Sequence, residues 1–241
     1  MSTVVDFHTH VLPQIDDGSA SVAESLALLR AEAEQGICRV VATPHFYAHY
    51  DTPKRFLERR RESVERLREV MESFPELPKL SVGAEVHYFP GIGDADVLAD
   101  MAIDGGRYVL IEMPMVPWTD RMYRDLQSIR DCLGLIPIVA HVDRYIGPMQ
   151  TYGIPERLAE LPVAVQANAG FFQRFLTKSM ALRLLGQGQI HLLGSDCHNM
   201  KDRPVNIRKT VDLIETKLGH EAIARINSCE DRILNDRIIP V

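Results

Sequence analysis

The chain has 241 residues, 46% apolar and 25% charged, which permits one substantial hydrophobic core and excludes global disorder. Its formal net charge of -6 argues against sequence-independent nucleic-acid binding through a basic face, while leaving room for an anionic substrate held by a few arginines and cations. Four cysteines without CxxC pairing (Cys38, Cys132, Cys197, Cys229), no basic-then-apolar leader and no apolar run near ~20 residues predict a reduced, cytoplasmic protein with no membrane insertion.

Seven short apolar runs read as strands: Val4–His10, Ile37–Thr43, Leu80–Val86, Arg107–Met113, Ile136–His141, Val163–Asn168 and Ile190–Ser195. Most are continuous rather than alternating, as parallel strands buried on both faces require. Between the first two, Ser21 followed by Glu24 is a capping-box signature. Val22, Leu26, Leu29 and Ala33 then mark one helical face, and Gly36 sits where a helix-terminating glycine belongs. Thr52-Pro53 opens a charged helix running to about Met71. Further helices are predicted near Asp94–Met101, Asp120–Leu133, Pro155–Leu161, Ser179–Gln187 and Pro204–Leu218, with one more at Glu221–Ile226. The alternation predicts an α/β fold, and the even spread of seven units predicts one barrel domain over residues 1–241. The least structured stretches, Phe46–Asp51, Phe89–Gly93, Pro114–Thr119 and Ile146–Gly153, all follow strands, where barrel loops carry chemistry.

Ligand-type residues fall at the ends of those strands. His8 and His10 share a face at the end of the first, His45 follows the second, Glu85 ends the third, Glu112 the fourth and His141 the fifth, and Asp196 and His198 close the seventh. Asp17 lies in the first strand-to-helix loop. Taken singly, a strand-end histidine is more often a satisfied polar residue, and a strand-end carboxylate a helix cap. Nine on six strand ends are different, because without cations the carboxylates would repel one another. Imidazole and carboxylate are the ligand set for zinc, manganese or iron.

The remaining histidines are read otherwise: His191 as structural, His220 as exposed, His87 as adjacent to the ligands without joining them, and His49 as part of a surface loop. Cys197 is read as pointing away from the site. Arg144, three residues after His141, and Arg203, seven after Asp196 and just before a predicted helix, are candidates for bidentate phosphate binding. The arginine-rich stretch 55–68 is interleaved with glutamates and reads as a solvated helix face.

The segments Asp6-Phe7-His8-Thr9-His10, Asp16-Asp17-Gly18, Ala42-Thr43-Pro44-His45, Gly83-Ala84-Glu85, Leu110-Ile111-Glu112, His141-Val142-Asp143-Arg144-Tyr145, Gln166-Ala167-Asn168-Ala169-Gly170 and Ser195-Asp196-Cys197-His198-Asn199 resemble the polymerase and histidinol phosphatase (PHP) superfamily. Within it they resemble most the bacterial capsule and exopolysaccharide protein-tyrosine phosphatases, over nearly the whole chain. One departure is Asp143, where a glutamate is common. The resemblance implies a distorted seven-stranded (β/α) TIM-like barrel holding three divalent or transition-metal ions, manganese foremost with iron or zinc as alternatives. It implies His8, His10, Glu85 and Asp196 around one ion, Asp17, His45 and His198 around a second, and Glu112 and His141 around a third, with Glu85 bridging. It also implies Arg144 and Arg203 as phosphate-binding arginines. The implied substrate is a phosphotyrosine on a protein or its tail, carried by a bacterial tyrosine kinase that controls polysaccharide export.

The implied chemistry is metal-assisted hydrolysis without a thiol nucleophile: Cys197 and Arg203 happen to match the CxxxxxR spacing of cysteine-dependent phosphatases, but Cys197 is read as pointing away from the site. His198 is an expected proton donor for a leaving oxygen that needs one, and Tyr47, Tyr50 and Trp118 are candidates for stacking on an aromatic substrate. Three rivals share parts of the pattern. A histidinol-phosphatase-type enzyme would use the same metals on a small alcohol phosphate. An amidohydrolase would also open with HxH, but Glu112 stands where its bridging lysine would be. A non-catalytic metal-binding domain would not need both arginines.

Overall fold

The computed structural model describes residues 4–146 and 153–236. Its strands are β1 (Val5–Thr9), β2 (Arg39–Ala42), β3 (His45–Phe46), β4 (Lys79–Val82), β5 (Glu85–His87), β6 (Tyr108–Glu112), β7 (Ile136–Val139), β8 (Ala164–Asn168) and β9 (Leu192–Gly194). Its α-helices are α1 (Val22–Glu34), α2 (Pro53–Met71), α3 (Asp120–Leu133), α4 (Ile154–Ala159), α5 (Ala169–Gln173), α6 (Lys178–Gly186), α7 (Ile207–Leu218) and α8 (His220–Leu234). All strand pairs are parallel. They form a three-stranded sheet, β1-β2-β4, and a curled six-stranded sheet, β3-β5-β6-β7-β8-β9.

The predicted seven strands therefore appear as nine. The second run gives way at Thr43-Pro44, where proline offers no N–H to a ladder. The third gives way at Gly83-Ala84. The chain resumes as β3 and β5, and the hydrogen bonds Gly83 N to Ala42 O (2.9 Å) and Glu85 N to Pro44 O (3.0 Å) carry the pairing across both breaks. At the other edge, Asp196 N donates to His8 O (2.8 Å) and His10 N to Cys197 O (2.9 Å).

The predicted helix Asp94–Met101 is a series of 3-10 turns instead, and α7 begins at Ile207 rather than Pro204. The last helix is much longer than Glu221–Ile226, spanning His220–Leu234. The helix starts follow their signals. Ser21 Oγ accepts from Glu24 N (3.2 Å), although Glu24 reaches back to Ala20 N rather than to Ser21 N. Thr52 caps α2 ahead of Pro53, and Gly36 adopts φ +81° after α1. Most of the predicted loop Ile146–Gly153 lies outside the described residues.

The large apolar core lies between strands and helices, while a smaller cluster sits inside the curl of the strands. That inner cluster includes Val5, Phe7, Leu110, Ile138, Ala164 and Leu192, and α8 adds Ile233. Between Asp6 and Thr9 the register of β1 against β2 slips by one residue. Such a bulge re-aims side chains. Here it lets Phe7 join the inner cluster while its immediate neighbour His8 meets Gln166, Glu85 and Asp196. The apolar interior thus ends where the polar site begins. No helix among the described residues is long and apolar enough to cross a membrane.

Candidate metal centre and active site

All nine residues singled out at strand ends and in the first loop converge. Their donor atoms form four overlapping groups: His10, Asp17, His45 and His198; His8, Glu85 and His141; His8, His10 and Asp196; and His45, Glu85 and Glu112. Within each group the donor atoms lie within 4.8 Å of one another. Glu85 is at the centre. Its Oε2 is 3.1 Å from His8 Nε2, 3.3 Å from His10 Nε2 and 2.9 Å from His45 Nδ1, and its Oε1 is 2.7 Å from His141 Nε2.

The donor set fits cations better than it fits itself. Glu85 Oε2, Asp196 Oδ1 and His45 Nδ1 are buried and make no hydrogen bond of good geometry, being met only by close charged neighbours: imidazoles around Glu85 Oε2, that carboxylate beside His45 Nδ1, and Arg203 beside Asp196 Oδ1. The Nε2 atoms of His8 and His10 face each other at 3.2 Å, an arrangement in which at most one can carry a proton toward the other. Buried carboxylates and imidazole lone pairs aimed at one volume are what cations satisfy and protons satisfy poorly. Burial alone would raise the Glu85 carboxyl, but His8, His10, His141 and His45 hold it well below the usual range. Burial would likewise neutralise His8 and His10. The Glu85 and Asp196 carboxylates overcome this at His8, and Asp16 with Glu85 pushes His10 up to about 10. His198 goes the other way: burial first, then His10 and Arg203, lower it to about 4. It is neutral near pH 7, with Nδ1 3.0 Å from Asp196 O.

The backbone pays locally for this convergence. His141 has φ +31° and Asp196 φ +55°, left-handed conformations that cost a non-glycine residue energy and that cluster at functional sites. Asp196 and His198 therefore reach the site from an irregular segment after β9, not by regular strand alternation. Cys197 still points away, buried with Sγ 3.8 Å from Glu32. Gly194 is forced: a Cβ there would come within 2.6 Å of both His8 Cβ and Gln166 Nε2.

Several orienting residues had no role assigned from sequence. Asp16 Oδ2 accepts from His10 Nδ1 (2.8 Å) and His45 N (3.0 Å), while its Oδ1 accepts from Gly18 N (3.0 Å). Gln166 Oε1 accepts from His141 N (2.6 Å) and lies 3.3 Å from His8 Nδ1. The Tyr145 hydroxyl accepts from Met113 N (2.9 Å) and lies 3.2 Å from His141 Nδ1. Asn168 donates to Asp196 Oδ2 (3.0 Å). His87 Nδ1 is 3.0 Å from Glu112 Oε2, next to one of the ligand-type carboxylates. The available signal was adjacency: Asp16 directly precedes Asp17-Gly18, and Tyr145 follows Arg144.

Both predicted arginines reach the centre, and both hold Asp196. Arg144 Nη2 pairs with Asp196 Oδ2 and Arg144 Nη1 is 3.4 Å from Glu112 Oε1. Arg203 Nη2 is 2.7 Å from Asp196 Oδ1 and its Nη1 2.8 Å from His198 Nε2. A cleft of ≈ 350 Å³ opens beside them, lined also by Asn168, Arg174 and Asn206. A second of ≈ 410 Å³ lies across the centre, lined by Asp17, His45, Tyr47, Tyr50 and Arg59. The helix expected to begin at Pro204, beside Arg203, starts three residues later, at Ile207. Trp118 is corrected: it is buried against Tyr145 and Tyr123, with ring centroids 5.0 and 5.5 Å away, and cannot stack on a ligand. Tyr47 is half-buried and Tyr50 exposed in the second cleft. His191 is tied into β8 through Val165 N, and His220 is exposed.

This arrangement can be set beside known proteins. The sequence profile of the capsular polysaccharide synthesis family CpsB/CapC matches residues 4–234. The chain belongs to that family. It is 29% identical to the tyrosine-protein phosphatase YwqE of Bacillus subtilis over 98% of this chain and 93% of the relative. It is 27% identical to the tyrosine-protein phosphatase CpsB of Streptococcus pneumoniae over 90% of this chain and 91% of the relative. Its fold matches a crystal structure from work on YwqE and CpsB, described there as unique metal-dependent tyrosine phosphatases, with TM-score 0.87 and 24% identity over 98% of this chain and 96% of that one. A more distant match, TM-score 0.55 at 15% identity over 89% of this chain and 93% of the other, is histidinol phosphate phosphatase from Lactococcus lactis. Among CpsB/CapC proteins, then, this chain pairs a multi-ligand centre with two arginines on one carboxylate.

Proposed function

We infer that the protein is a metal-dependent tyrosine-protein phosphatase. The observation that carries this reading is the joint placement of nine ligand-type side chains and two arginines around Glu85 and Asp196, in a chain of the CpsB/CapC family. We read the two sheets as one distorted, seven-stranded TIM-like barrel in a single domain. The bonds across Thr43-Pro44 and Gly83-Ala84, and those joining β1 to the segment after β9, support this. The four overlapping ligand groups support several ions over one, and three is the number proposed, with manganese foremost and iron or zinc as alternatives. Bound cations would polarise the phosphoryl oxygens and activate a water.

The protein's own residues do the rest. Glu85, reached by four imidazoles, is the natural bridge. His8, His10, Glu85 and Asp196 are proposed for one ion, Asp17, His45 and His198 for a second, and Glu112 and His141 for a third. His10 also reaches the Asp17 group and His45 the Glu112 group, so neighbouring ions have donors in common reach. Asp196 anchors both guanidiniums. Once its carboxylate is engaged elsewhere, Arg144 and Arg203 are free to grip a phosphate with charge-assisted hydrogen bonds. His198, neutral with its Nε2 turned into the site, is suited to ligation and not to protonating a leaving group. That suits a phenolate, which needs little protonation to leave. All four cysteines are free, in keeping with a cytoplasmic setting.

The proposed substrate is a phosphotyrosine on a bacterial tyrosine kinase governing capsule or exopolysaccharide synthesis. Metal-reconstituted protein, assayed side by side on a phosphotyrosine peptide, a phosphoserine peptide and histidinol phosphate, should prefer the first. Turnover confined to histidinol phosphate would replace this reading with the small-molecule one and leave the centre intact.

A further inference from the structure

Among the described residues, the exposed large apolar side chains are Tyr50, Met115, Val116, Phe175, Leu176 and Met200. Single exposed apolar residues are ordinary and need no explanation. Their distribution here is not ordinary. Tyr50 lies between β3 and α2, Met115 and Val116 between β6 and α3, Phe175 and Leu176 between β8 and α6, and Met200 between β9 and α7. Tyr50, Met115, Val116 and Met200 are in segments that leave the C-terminal end of a strand, the end where the ligand groups and both clefts lie, and Phe175 and Leu176 follow β8 after the single short helix α5. None is in a helix-to-strand connection.

Phe175 (91% exposed) and Leu176 (88% exposed) directly follow Arg174, which lines the cleft shared with Arg144 and Arg203. The cations nearer the centre are already engaged: Arg144 and Arg203 with Asp196, and Arg59 with Asp51. Arg174 has no carboxylate within ion-pair distance among the described residues, although Asp202 lines the same cleft. A rim that exposes apolar side chains and one unneutralised guanidinium around a charged centre suits a ligand larger than a phosphate ester. Phe175 and Leu176 do not line that cleft, so a small alcohol phosphate seated in it would leave them uncovered.

We propose that Arg174, Phe175 and Leu176, with Met200 two residues before the cleft-lining Asp202, dock the polypeptide that carries the phosphorylated residue, Arg174 meeting an acidic side chain beside it and the apolar residues covering its apolar flank. The occupant is an extended segment of the phosphoprotein substrate. This rests on the phosphatase reading above and names what the enzyme reads around the phosphate. These residues are specificity determinants; none touches the ligand groups.

The test uses the full-length, metal-loaded protein and three substrates: p-nitrophenyl phosphate, a phosphotyrosine peptide with acidic and apolar flanks, and the same peptide with glycine-serine flanks. For the double variant Phe175→Ser/Leu176→Ser and for Arg174→Ser, kcat/KM on the flanked peptide should fall roughly tenfold, mostly through KM. For the apolar double variant, values on the other two substrates should stay within about twofold, the ordinary scatter of exposed substitutions; for Arg174→Ser the loss should be largest on the acidic peptide. Arg174→Glu should lose more on the acidic peptide and recover on a peptide with lysine in place of the acid. Equal losses on all three substrates, or none on any, would overturn the proposal. So would a shift from dimer to monomer in the apolar double variant with peptide kinetics unchanged, which would assign the patch to a second copy of this chain. Wild-type inactivity on every phosphotyrosine substrate, with histidinol phosphate turned over, would instead strike the phosphatase reading itself.

Discussion

Asp16 is the sharpest place to test how the centre is built. Its carboxylate accepts three hydrogen bonds, from His10 Nδ1, His45 N and Gly18 N, at 2.8, 3.0 and 3.0 Å. By holding the proton on His10 Nδ1 it leaves Nε2 to face Glu85 and Asp196. Asp16→Ala removes all three contacts and the charge, so the imidazole can rotate or move its proton to Nε2, where it blocks ligation. Losing such an orienting partner weakens metal binding by about 10–100-fold, which is ~1.4–2.8 kcal/mol. Asp16→Asn should fall between, because whichever way the amide turns one acceptor and the charge are lost. Competition titration with a chelator of known affinity reads the effect directly. A second readout is independent of metal. In the metal-free protein Asp16 and Glu85 lift His10 from 6.5 to about 10 against the pull of burial. A raised folded pKa gives stability that is complete below about 6.5 and lost as pH rises toward 10. Metal-free wild type should therefore lose stability across that window, and Asp16→Ala should show a flatter profile. Metal affinity within twofold of wild type, together with an unchanged pH profile, would refute the orienting role.

Arg144→Ala and Arg203→Ala should each keep metal content and cut kcat/KM by roughly one to two decades, since a charge-assisted contact is worth ~1.5–3 kcal/mol. Lysine should rescue only in part, and unchanged kinetics in both would remove their role. Glu85→Ala should be the most damaging ligand change, read as loss of more than one equivalent of metal by elemental analysis, because its carboxylate meets four imidazoles. Replacing Cys38, Cys132, Cys197 and Cys229 with serine or alanine should leave turnover largely intact while chelation abolishes it; alkylation that stops turnover with metals still bound would contradict this. Metal uptake near pH 7 should release protons, because His10 holds its proton in the metal-free protein. Calorimetric heats that do not vary between buffers of different ionisation enthalpy would exclude that.

The nine ligand-type residues were legible in the sequence because parallel strands buried on both faces read as unbroken apolar runs, and a polar residue ending each run can only emerge at one rim. Helix starts at Ser21 and Thr52 were equally local, each fixed by a hydrogen bond three residues long. What the sequence could not determine depends on neighbours distant in the chain. Pro44 and Gly83 break two strands into four, but only the partner bonds at Ala42 and Glu85 show how pairing continues. The bulge in β1 exists because β2 lies beside it, and it alone puts Phe7 in the apolar interior while His8 enters the site. Trp118 looked available for stacking until Tyr123 and Tyr145 covered it. Asp16 was in plain view as one more acid in a turn. Its function appeared only when folding brought His45, twenty-nine residues away, to within a hydrogen bond of the carboxylate that already held His10. Residue type and strand-end position announce a ligand, because that information is local. The direction in which each ligand points is fixed by a second residue packed behind it, and only the tertiary structure supplies that residue.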